Sequence, residues 1–455
     1  MKQYTSLYFV GAGGIGMSAL VRYFLAKGYK VAGYDRTQSP LTTELKTEGL
    51  EIVYEESVES IPDYCRNPET TLVVYTPAIP ASHAGLVYFR EHGFRVVKRA
   101  ELLGLITQSS KGLCFAGTHG KTTTSSMAAH IFHESPIGCN AFLGGILRNY
   151  NSNLILSEQS PFTVIEADEY DRSFHWLHPY MAVVTATDPD HLDIYGTEEA
   201  YLESFARFTS LIQPGGCLIM KKGIKLVPSV KENVKIYTYS ARDGGDFHAG
   251  NIRIGDGTIV FDFVMPEGSV ADIELGVPVE INIENAVAAM AIAWLNGVSG
   301  DDMRRAMASF KGAKRRFEFW VRRPDKVMID DYAHPDELKA SIRSVKALYP
   351  GRRLSVIFQP HLYSRTRDFA PQFAEALSLA DEVFLLDIYP ARELPIPGVT
   401  SKLIFDKITC RNKELCLREK LLERIKECNF DILLTMGAGD IDRLLPEIAA
   451  IVESK

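Results

Sequence analysis

The segment from Leu113 to Thr124, with the sequence LCFAGTHGKTTT, constrains the fold and chemistry of this chain more than any other. Its first four residues form a short apolar run that is typical of a buried strand. Two glycines, Lys121 and three threonines follow, and apolar residues then recur at helical spacing. A strand, a glycine turn and a helix in this order bring together free backbone N–H groups and the positive end of a helix dipole. The sequence therefore predicts a site for a phosphate chain.

Two side chains of this phosphate loop, defined as residues Gly117 to Thr123, have the chemistry that phosphate binding needs. Lys121 would reach the terminal phosphates, and the Thr122 hydroxyl would hold Mg²⁺. The full phosphate-loop pattern has a glycine where this chain has Phe115. The alternative is a strand-to-helix turn with an unrelated lysine, and the flanking strand and helix argue against it.

Length and composition limit the class of protein. A chain of 455 residues is typical of about three domains. A formal charge of −7 does not favour a nucleic-acid-binding surface. The seven cysteines form no C-x-x-C pair, which is typical of free thiols in a reducing compartment. No signal peptide is recognisable, and no stretch reaches the ~18 apolar residues of a membrane span. We therefore expect a cytoplasmic protein with no nucleic-acid or membrane partner.

The first domain, predicted for residues 1-108, contains another glycine-rich turn. Because it comes first along the chain, we call it the first glycine loop. A strand ending at Val10 leads into the first glycine loop, Gly11 to Met17, and the next strand ends at Asp35. This is the G-x-G-x-x-G fingerprint between a strand and a helix, with an acid about 20 residues on. The glycines let backbone approach a diphosphate, but the pattern leaves open whether that diphosphate belongs to NAD, FAD or another nucleotide. A further strand ends at the segment Thr76 to Pro80, where open α/β sheets bind ligands.

The second domain, predicted for residues 109-313, places acidic residues after two strands. One strand ends at Glu166, and another ends shortly before His191. A parallel sheet would bring both ends to the phosphate loop, so Glu166 is a candidate Mg²⁺ ligand beside Thr122. His191 could hold a second ion or orient its water shell. Three further acids are expected to form only a solvated rim: Asp168, Glu169 and Asp193. The turn-rich run 246–276 predicts an antiparallel excursion.

The third domain, predicted for residues 314-455, contains four strand-like runs that each end in polar residues. The polar ends are Asp330 to His334, Gln359 to His361, Asp387 to Pro390 and Gly437 to Asp440. Four such ends in succession predict a second dinucleotide-type sheet whose edge faces a substrate. The predicted fold class is therefore α/β with three domains: a Rossmann-like N-terminal domain, a central P-loop-type ATP-binding domain and a C-terminal Rossmann-like domain.

Taken together, these motifs resemble those of the Mur ligases. They are G-x-G-G-I-G-M in the first domain, G-T-H-G-K-T-T in the second, and D-Y-A-H with Q-P-H in the third. The resemblance covers the whole chain, and the phosphate loop is highly specific for the ligase superfamily. The first glycine loop, with the segments 358–361 and 363–367, points to the family member that adds L-alanine.

The resemblance implies an ATP-dependent ligase of cytoplasmic peptidoglycan precursor synthesis. Such an enzyme joins L-alanine to the lactoyl carboxylate of UDP-N-acetylmuramate through an acyl phosphate and releases ADP and phosphate. It implies ATP and two Mg²⁺ ions as cofactors and small molecules as partners, and it leaves monomer and homodimer open.

The resemblance also implies roles for individual residues. The UDP-sugar would be held by Gly13, Gly14, Ile15, Gly16, Met17, Thr76 and Ala78. ATP would be bound by Gly117, Thr118, His119, Gly120, Lys121, Thr122, Thr123, Asn282, Asn285, Arg316 and Asp331. The metal ligands would be Thr122, Glu166 and His191, and the amino-acid side would be formed by His361, Arg365 and Arg367. The catalytic set would be Lys121, Glu166, His191, Arg365 and His334.

The chain departs from the family pattern at two positions. Ile281 replaces a histidine before Asn282, so different adenine contacts are expected, and the motif Tyr332-Ala333-His334-Pro335 is one histidine short. The segment 200–208 lacks the lysine that several sibling enzymes carbamylate, as in the L-alanine-adding member. Three alternatives stay open: a recycling ligase that attaches a murein tripeptide, an NAD-dependent oxidoreductase, and a non-catalytic ATP-binding regulator.

Overall fold

The computed structural model describes residues 3–190, 192–242, 244–331, 335–391, 393–437 and 439–455. The chain forms two compact units. The first comprises Met1–Gly250, Asp262–Ile273 and Ile283–Phe310, and the second comprises Asn251–Phe261, Glu274–Asn282 and Lys311–Lys455. Three separate sheets with flanking helices confirm the predicted α/β class with three sheet-containing domains.

The first sheet is parallel throughout. Its strands are β1 (Ser6–Val10), β2 (Lys30–Tyr34), β3 (Glu51–Val53), β4 (Thr71–Tyr75) and β5 (Arg95–Lys98). Its helices are α1 (Ile15–Ala26), α2 (Pro40–Thr47), α3 (Ala84–Glu91) and α4 (Arg99–Thr107). The strand order is β3-β2-β1-β4-β5. All five residues of β1 are buried, as expected for a central strand covered on both faces.

The second sheet has ten strands and carries the phosphate loop. The strands are β6 (Lys111–Ala116), β7 (Asn140–Leu147), β8 (Ser152–Ile155), β9 (Phe162–Glu166), β10 (Pro179–Val184), β11 (Cys217–Lys221), β12 (Lys235–Ser240), β13 (Phe247–Gly255), β14 (Thr258–Met265) and β15 (Gly268–Glu274). The helices are α5 (Lys121–His133), α6 (Leu192–Tyr195), α7 (Glu198–Ser210), α8 (Ile281–Leu295) and α9 (Gly300–Ser309). The strand order is β15-β14-β13-β12-β11-β10-β6-β9-β7-β8.

The register of this sheet brings three strand ends to the phosphate loop. Strand β6 lies between β9 and β10 and pairs with both in parallel, with Phe115 opposite Glu166 and Ala116 opposite Val184. The ends of β9 and β10 therefore lie beside the loop that follows β6, as the sequence predicted. Strands β13, β14 and β15 are neighbours joined by two-residue connections, which only antiparallel hairpins allow.

The third sheet lies in the second unit. Its strands are β16 (Glu318–Arg322), β17 (Val327–Asp331), β18 (Leu354–Gln359), β19 (Glu382–Leu385), β20 (Asn412–Leu415) and β21 (Ile432–Gly437). Its helices are α10 (Pro335–Leu348), α11 (Tyr363–Leu377), α12 (Lys402–Phe405), α13 (Leu421–Glu427) and α14 (Leu445–Ser454). The order is β16-β17-β21-β18-β19-β20, and only the pair β16–β17 is antiparallel.

The four strands predicted for this region are present, whereas β16 and β20 had no sequence prediction because they are short and half-exposed. The domain limits at residues 108 and 313 stay predictions. Among the helices described, none has both the length and the apolar character needed to cross a membrane.

Candidate active site

The phosphate loop has the strand, turn and helix order that the sequence predicted. Gly117 and Gly120 both have positive φ angles, 138° and 83°, which side-chain-bearing residues rarely adopt. A Cβ atom at Gly120 would also lie 2.9 Å from Oδ1 of Asn285. The loop therefore needs glycine at both positions for its shape and for its close packing.

Neighbouring strands and helices hold the loop in place. The hydroxyl of Thr185, just after β10, donates to the carbonyl oxygens of Ala116 and His119. Thr118 Oγ1 donates to the carbonyl oxygen of Asp188 at 2.7 Å. On the other side, Thr124 Oγ1 donates to Oδ1 of the buried Asn285 at 3.1 Å. The loop is thus a preorganised part of the sheet edge.

The cationic group of the loop is paired with a carboxylate. Lys121 Nζ lies 2.8 Å from Oε1 and 2.7 Å from Oε2 of Glu169, and it donates to the carbonyl oxygen of Gly117 at 2.6 Å. Glu169 is only 1% exposed, so the expectation of a solvated rim was wrong for this residue. Burial raises the pKa of Glu169, and the charge of Lys121 opposes that effect. The sequence signal for the role of Glu169 was its position three residues after Glu166, close to the phosphate loop.

Thr122 and Glu166 meet as predicted. Thr122 Oγ1 donates to Glu166 Oε1 at 3.0 Å. Gly144 makes room for the carboxylate, because a Cβ atom there would lie 2.8 Å from Glu166 Cδ. A hydroxyl and a carboxylate at a phosphate loop fit Mg²⁺, which usually takes one or two carboxylates, waters and substrate phosphates. Within the described ranges no group of three or more His, Cys, Asp or Glu could hold a metal. His191 lies outside the described residues.

The first glycine loop is hydrogen-bonded to Asp35, the acid at the end of β2. Asp35 Oδ2 accepts from the backbone N–H of Gly13 at 2.8 Å, and Oδ1 accepts from that of Thr37. Thr76 packs on the loop, since a Cβ atom at Gly11 would lie 2.8 Å from Thr76 Cγ2. Ile15 is 38% exposed, and Met17 is buried in the core.

The remaining members of the predicted UDP-sugar set surround the exposed side of this loop. Gly14 and Ala78 are exposed, and Gly16 is half-buried. A Cβ atom at Gly16 would overlap Nη1 of Arg99, a residue that had no predicted role. Its position directly after β5, at the carboxyl edge of the sheet, was the available signal.

Predicted ATP-binding residues of the second unit are placed as follows. Asp331 Oδ1 accepts from the backbone N–H of Phe317 at 3.0 Å, and the Ser341 hydroxyl donates to its other oxygen. Arg316 is half-exposed and lies 3.9 Å from Glu337. Asn282 is buried and donates from Nδ2 to the carbonyl oxygen of Val277 at 3.1 Å. The nucleotide roles of these residues stay predictions.

Residues predicted for the amino-acid side cluster after β18. His361 stacks on Tyr389 with ring centroids 5.9 Å apart, and burial with nearby Arg365 lowers the pKa of His361. His361 Nδ1 and Arg365 Nη1 are buried without a hydrogen-bond partner among the described residues. Arg367 is instead paired with Asp368 at 2.7 Å. His334 lies outside the described residues.

One acid of the predicted polar strand ends is buried at the same sheet edge. Asp330 on β17 is 2% exposed, and Oδ1 accepts from the Thr435 hydroxyl at 2.6 Å. Burial raises the pKa of Asp330 to about 7, although the Thr435 bond and the nearby Arg315 lower it. Arg315 donates to the carbonyl oxygen of Gly437 at 3.1 Å. Polar groups therefore extend below the surface of this edge.

Comparison with known families covers almost the entire chain. Residues 6–111 match the Mur ligase family catalytic domain, residues 115–293 match the Mur ligase middle domain, and residues 315–439 match the Mur ligase glutamate ligase domain.

Full-length relatives share one name. The chain is 63% identical over 453 residues to the UDP-N-acetylmuramate–L-alanine ligase of Parabacteroides distasonis, covering 99% of this chain and 98% of the relative. It is 60% identical to the ligase of that name from Phocaeicola vulgatus and 47% identical to that of Flavobacterium johnsoniae, each covering at least 98% of both chains.

Solved structures share the fold. The UDP-N-acetylmuramate–alanine ligase of Thermotoga maritima superposes with a TM-score of 0.80 at 25% identity, covering 99% of both chains. The murein peptide ligase of Psychrobacter arcticus has a TM-score of 0.62 at 22% identity, also over 99% of both chains.

Proposed function

The chain belongs to the Mur ligase family, and on that basis we propose that it is a UDP-N-acetylmuramate–L-alanine ligase. The reaction joins L-alanine to the lactoyl carboxylate of UDP-N-acetylmuramate and converts ATP to ADP and phosphate. Eight relatives, 43–63% identical over at least 95% of this chain, carry this name. The recycling ligase and the NAD-dependent oxidoreductase are not favoured.

One observation carries the proposal for this chain's own residues. Lys121 and Thr122 open helix α5 beside the end of β9, where Thr122 contacts Glu166 at 3.0 Å and Lys121 contacts Glu169 at 2.7 Å. A cation, a hydroxyl and a carboxylate at a glycine turn are the groups that phosphoryl transfer requires. An oxidoreductase would leave this arrangement without a use.

A carboxylate is a poor electrophile, so the reaction needs two steps. The lactoyl carboxylate first receives the γ-phosphoryl group of ATP and becomes an acyl phosphate. The amine of L-alanine then attacks the acyl carbon, phosphate leaves with the C–O bond electrons, and the amine loses a proton. In this proposal Lys121 offsets the charge that builds up when two anions meet, and backbone N–H groups of the loop orient the phosphates.

Three side chains would hold two magnesium ions. Thr122 and Glu166 would supply a hydroxyl and a carboxylate oxygen to one ion, and His191 would help to bind the second. When bound, Mg²⁺ neutralises phosphate charge. The third domain would receive L-alanine near His361 and Arg365, where an arginine can pair with the amino-acid carboxylate.

The remaining partners follow from this chemistry. The first glycine loop is proposed to hold the uridine diphosphate of the sugar. In the NAD alternative Asp35 would bind a ribose, but its carboxylate already accepts the backbone N–H of Gly13 in the first glycine loop and that of Thr37 after β2. We further propose a cytoplasmic enzyme with small-molecule substrates, and a monomer or homodimer.

The decisive experiment is phosphate release measured with UDP-N-acetylmuramate, ATP and a panel of amino acids. The expected result is release that needs both the uridine sugar and L-alanine, with other amino acids slower. Release with a murein tripeptide but not with L-alanine would favour the recycling reaction. ATP binding without release under any combination would favour the non-catalytic regulator.

A further inference from the structure

The first glycine loop lacks a cation of its own. Residues 11–18 contain no lysine or arginine, whereas the phosphate loop carries Lys121. The backbone N–H of Gly13 is already occupied by Asp35. A diphosphate at this loop would therefore meet the N-terminus of α1 and an acid, and its two charges call for a cation from elsewhere.

Arg99 supplies a cation at this position. It is the first residue after β5, which pairs in parallel with β4, so it lies at the same carboxyl edge as the loop after β1. Its guanidinium contacts Gly16 so closely that a Cβ atom there would overlap Nη1 and lie 3.1 Å from Cζ. The third glycine of the fingerprint thus makes room for a guanidinium.

The known partner of Arg99 does not account for this placement. Nη2 lies 3.5 Å from Oδ2 of Asp168, at the long end of the hydrogen-bond range, and the two side chains are 25% and 39% exposed. An ion pair with this geometry contributes little to stability. The guanidinium instead presents Nη1 toward the loop, and its planar set of donors suits bidentate binding of phosphate oxygens.

We propose that Arg99 is a substrate-binding residue that contacts the diphosphate of the uridine sugar at the first glycine loop. The inference rests on the proposed function, because it takes that loop as the uridine diphosphate site. Asp168 makes only a long ion pair with Arg99, so it is expected to add little to the placement of the guanidinium.

Calorimetry with Arg99→Ala tests this proposal, using UDP, UDP-N-acetylglucosamine and UDP-N-acetylmuramate as separate ligands. Loss of a charged contact to phosphate is expected to weaken all three by about 10- to 100-fold. ATP affinity should stay unchanged. Arg99→Lys keeps the charge but loses the bidentate geometry, so it should give an intermediate loss.

A matched control lies next to Arg99. Lys98 forms an ion pair of its own with Asp171, at a distance of 2.6 Å. Lys98→Ala removes that pair and should leave uridine ligand binding unchanged. Asp168→Asn should weaken binding by no more than about threefold, because Arg99 keeps its charge. Circular dichroism establishes that each variant is folded.

The outcomes separate the inference from the proposed function. Parent protein that binds no uridine ligand would contradict the proposed function itself. Unchanged binding by Arg99→Ala would overturn the inference alone, as would an equal loss in Asp168→Asn or Lys98→Ala. A loss confined to UDP-N-acetylmuramate would assign Arg99 to the lactoyl carboxylate and would likewise overturn the diphosphate contact.

Discussion

The two glycine loops share a plan but differ in where their charged groups come from. Each follows a strand that is paired in parallel on both sides, and each opens a helix. The phosphate loop carries its cation inside the motif, and the buried Glu169 holds that cation. The first glycine loop contains no cation, ties its own N–H to Asp35, and receives the guanidinium of Arg99 from a helix that begins after β5.

This difference shows how much a short motif can tell about its ligand. A lysine inside the turn specifies contact with phosphate by its position alone. Without such a residue, the glycines specify only that backbone can approach a ligand, and groups from other strand ends decide which ligand fits. Four experiments can break or sharpen this contrast.

Substitution of the cation inside the phosphate loop should have the largest effect. We expect Lys121→Ala to lower the rate of phosphate release by ~10²–10³, because one charged contact to the transferred phosphoryl group is lost. The matched control is Lys111→Ala, at the other end of β6, which should keep the parent rate. Near-normal release by Lys121→Ala would remove the assignment of this loop.

The helix that follows the phosphate loop should make the stability of the fold depend on pH. His130 on α5 is 1% exposed, burial lowers the pKa of its ring to about 4, and the ring contacts Tyr150 Oη at 2.6 Å and Ser309 Oγ at 2.9 Å. The unfolded chain binds this proton near pH 6.5, so stability is lost as pH falls from 6.5 toward 4. Between pH 7 and 5 the loss is about 2 kcal/mol.

Denaturant unfolding at several pH values measures this effect. The neutral variant His130→Gln should lose about 2 kcal/mol less than the parent over the same range, since the two proteins are otherwise identical. Parallel stability curves for the two proteins would contradict the prediction. Helix α1 behind the first glycine loop buries no histidine and should contribute no such dependence.

A side chain placed in the first glycine loop should affect one ligand site and leave the other unchanged. A Cβ atom at Gly13 would lie 2.5 Å from Thr42 Cγ2 and 2.9 Å from Asp35 Oδ2, so Gly13→Val must displace these side chains or the loop itself. We expect about tenfold weaker binding of UDP-N-acetylmuramate in calorimetry, with unchanged ATP affinity. Equal loss of both ligands would mean that the loops are not independent sites.

Replacing the carboxylate beside Thr122 should have the smallest effect. Glu166→Gln exchanges a charged oxygen for a neutral one, and we expect the Mg²⁺ concentration for half activity to rise about fivefold. Asp168→Asn changes a carboxylate two residues along and should leave the Mg²⁺ titration unchanged. If both variants titrate like the parent, Glu166 is only a structural partner of Thr122.

The sequence by itself determined the features that depend on local order. The apolar runs of β1, β6, β9 and β10 and the glycines at 11, 117 and 120 specified strand, turn and helix directly, because backbone conformation and burial pattern are local properties. Parallel pairing then placed Thr122 beside Glu166 without further information.

Only the tertiary structure decided which charges meet. Asp168 and Glu169 were both expected to lie on a solvated rim, yet Asp168 reaches Arg99 and Glu169 is buried against Lys121. Burial and pairing depend on which chain segment covers each side chain. The partner of Asp168 is Arg99, which lies 69 positions away in the sequence. The sequence therefore located the two loops, and the packing of α4 and β9 around them assigned their charges.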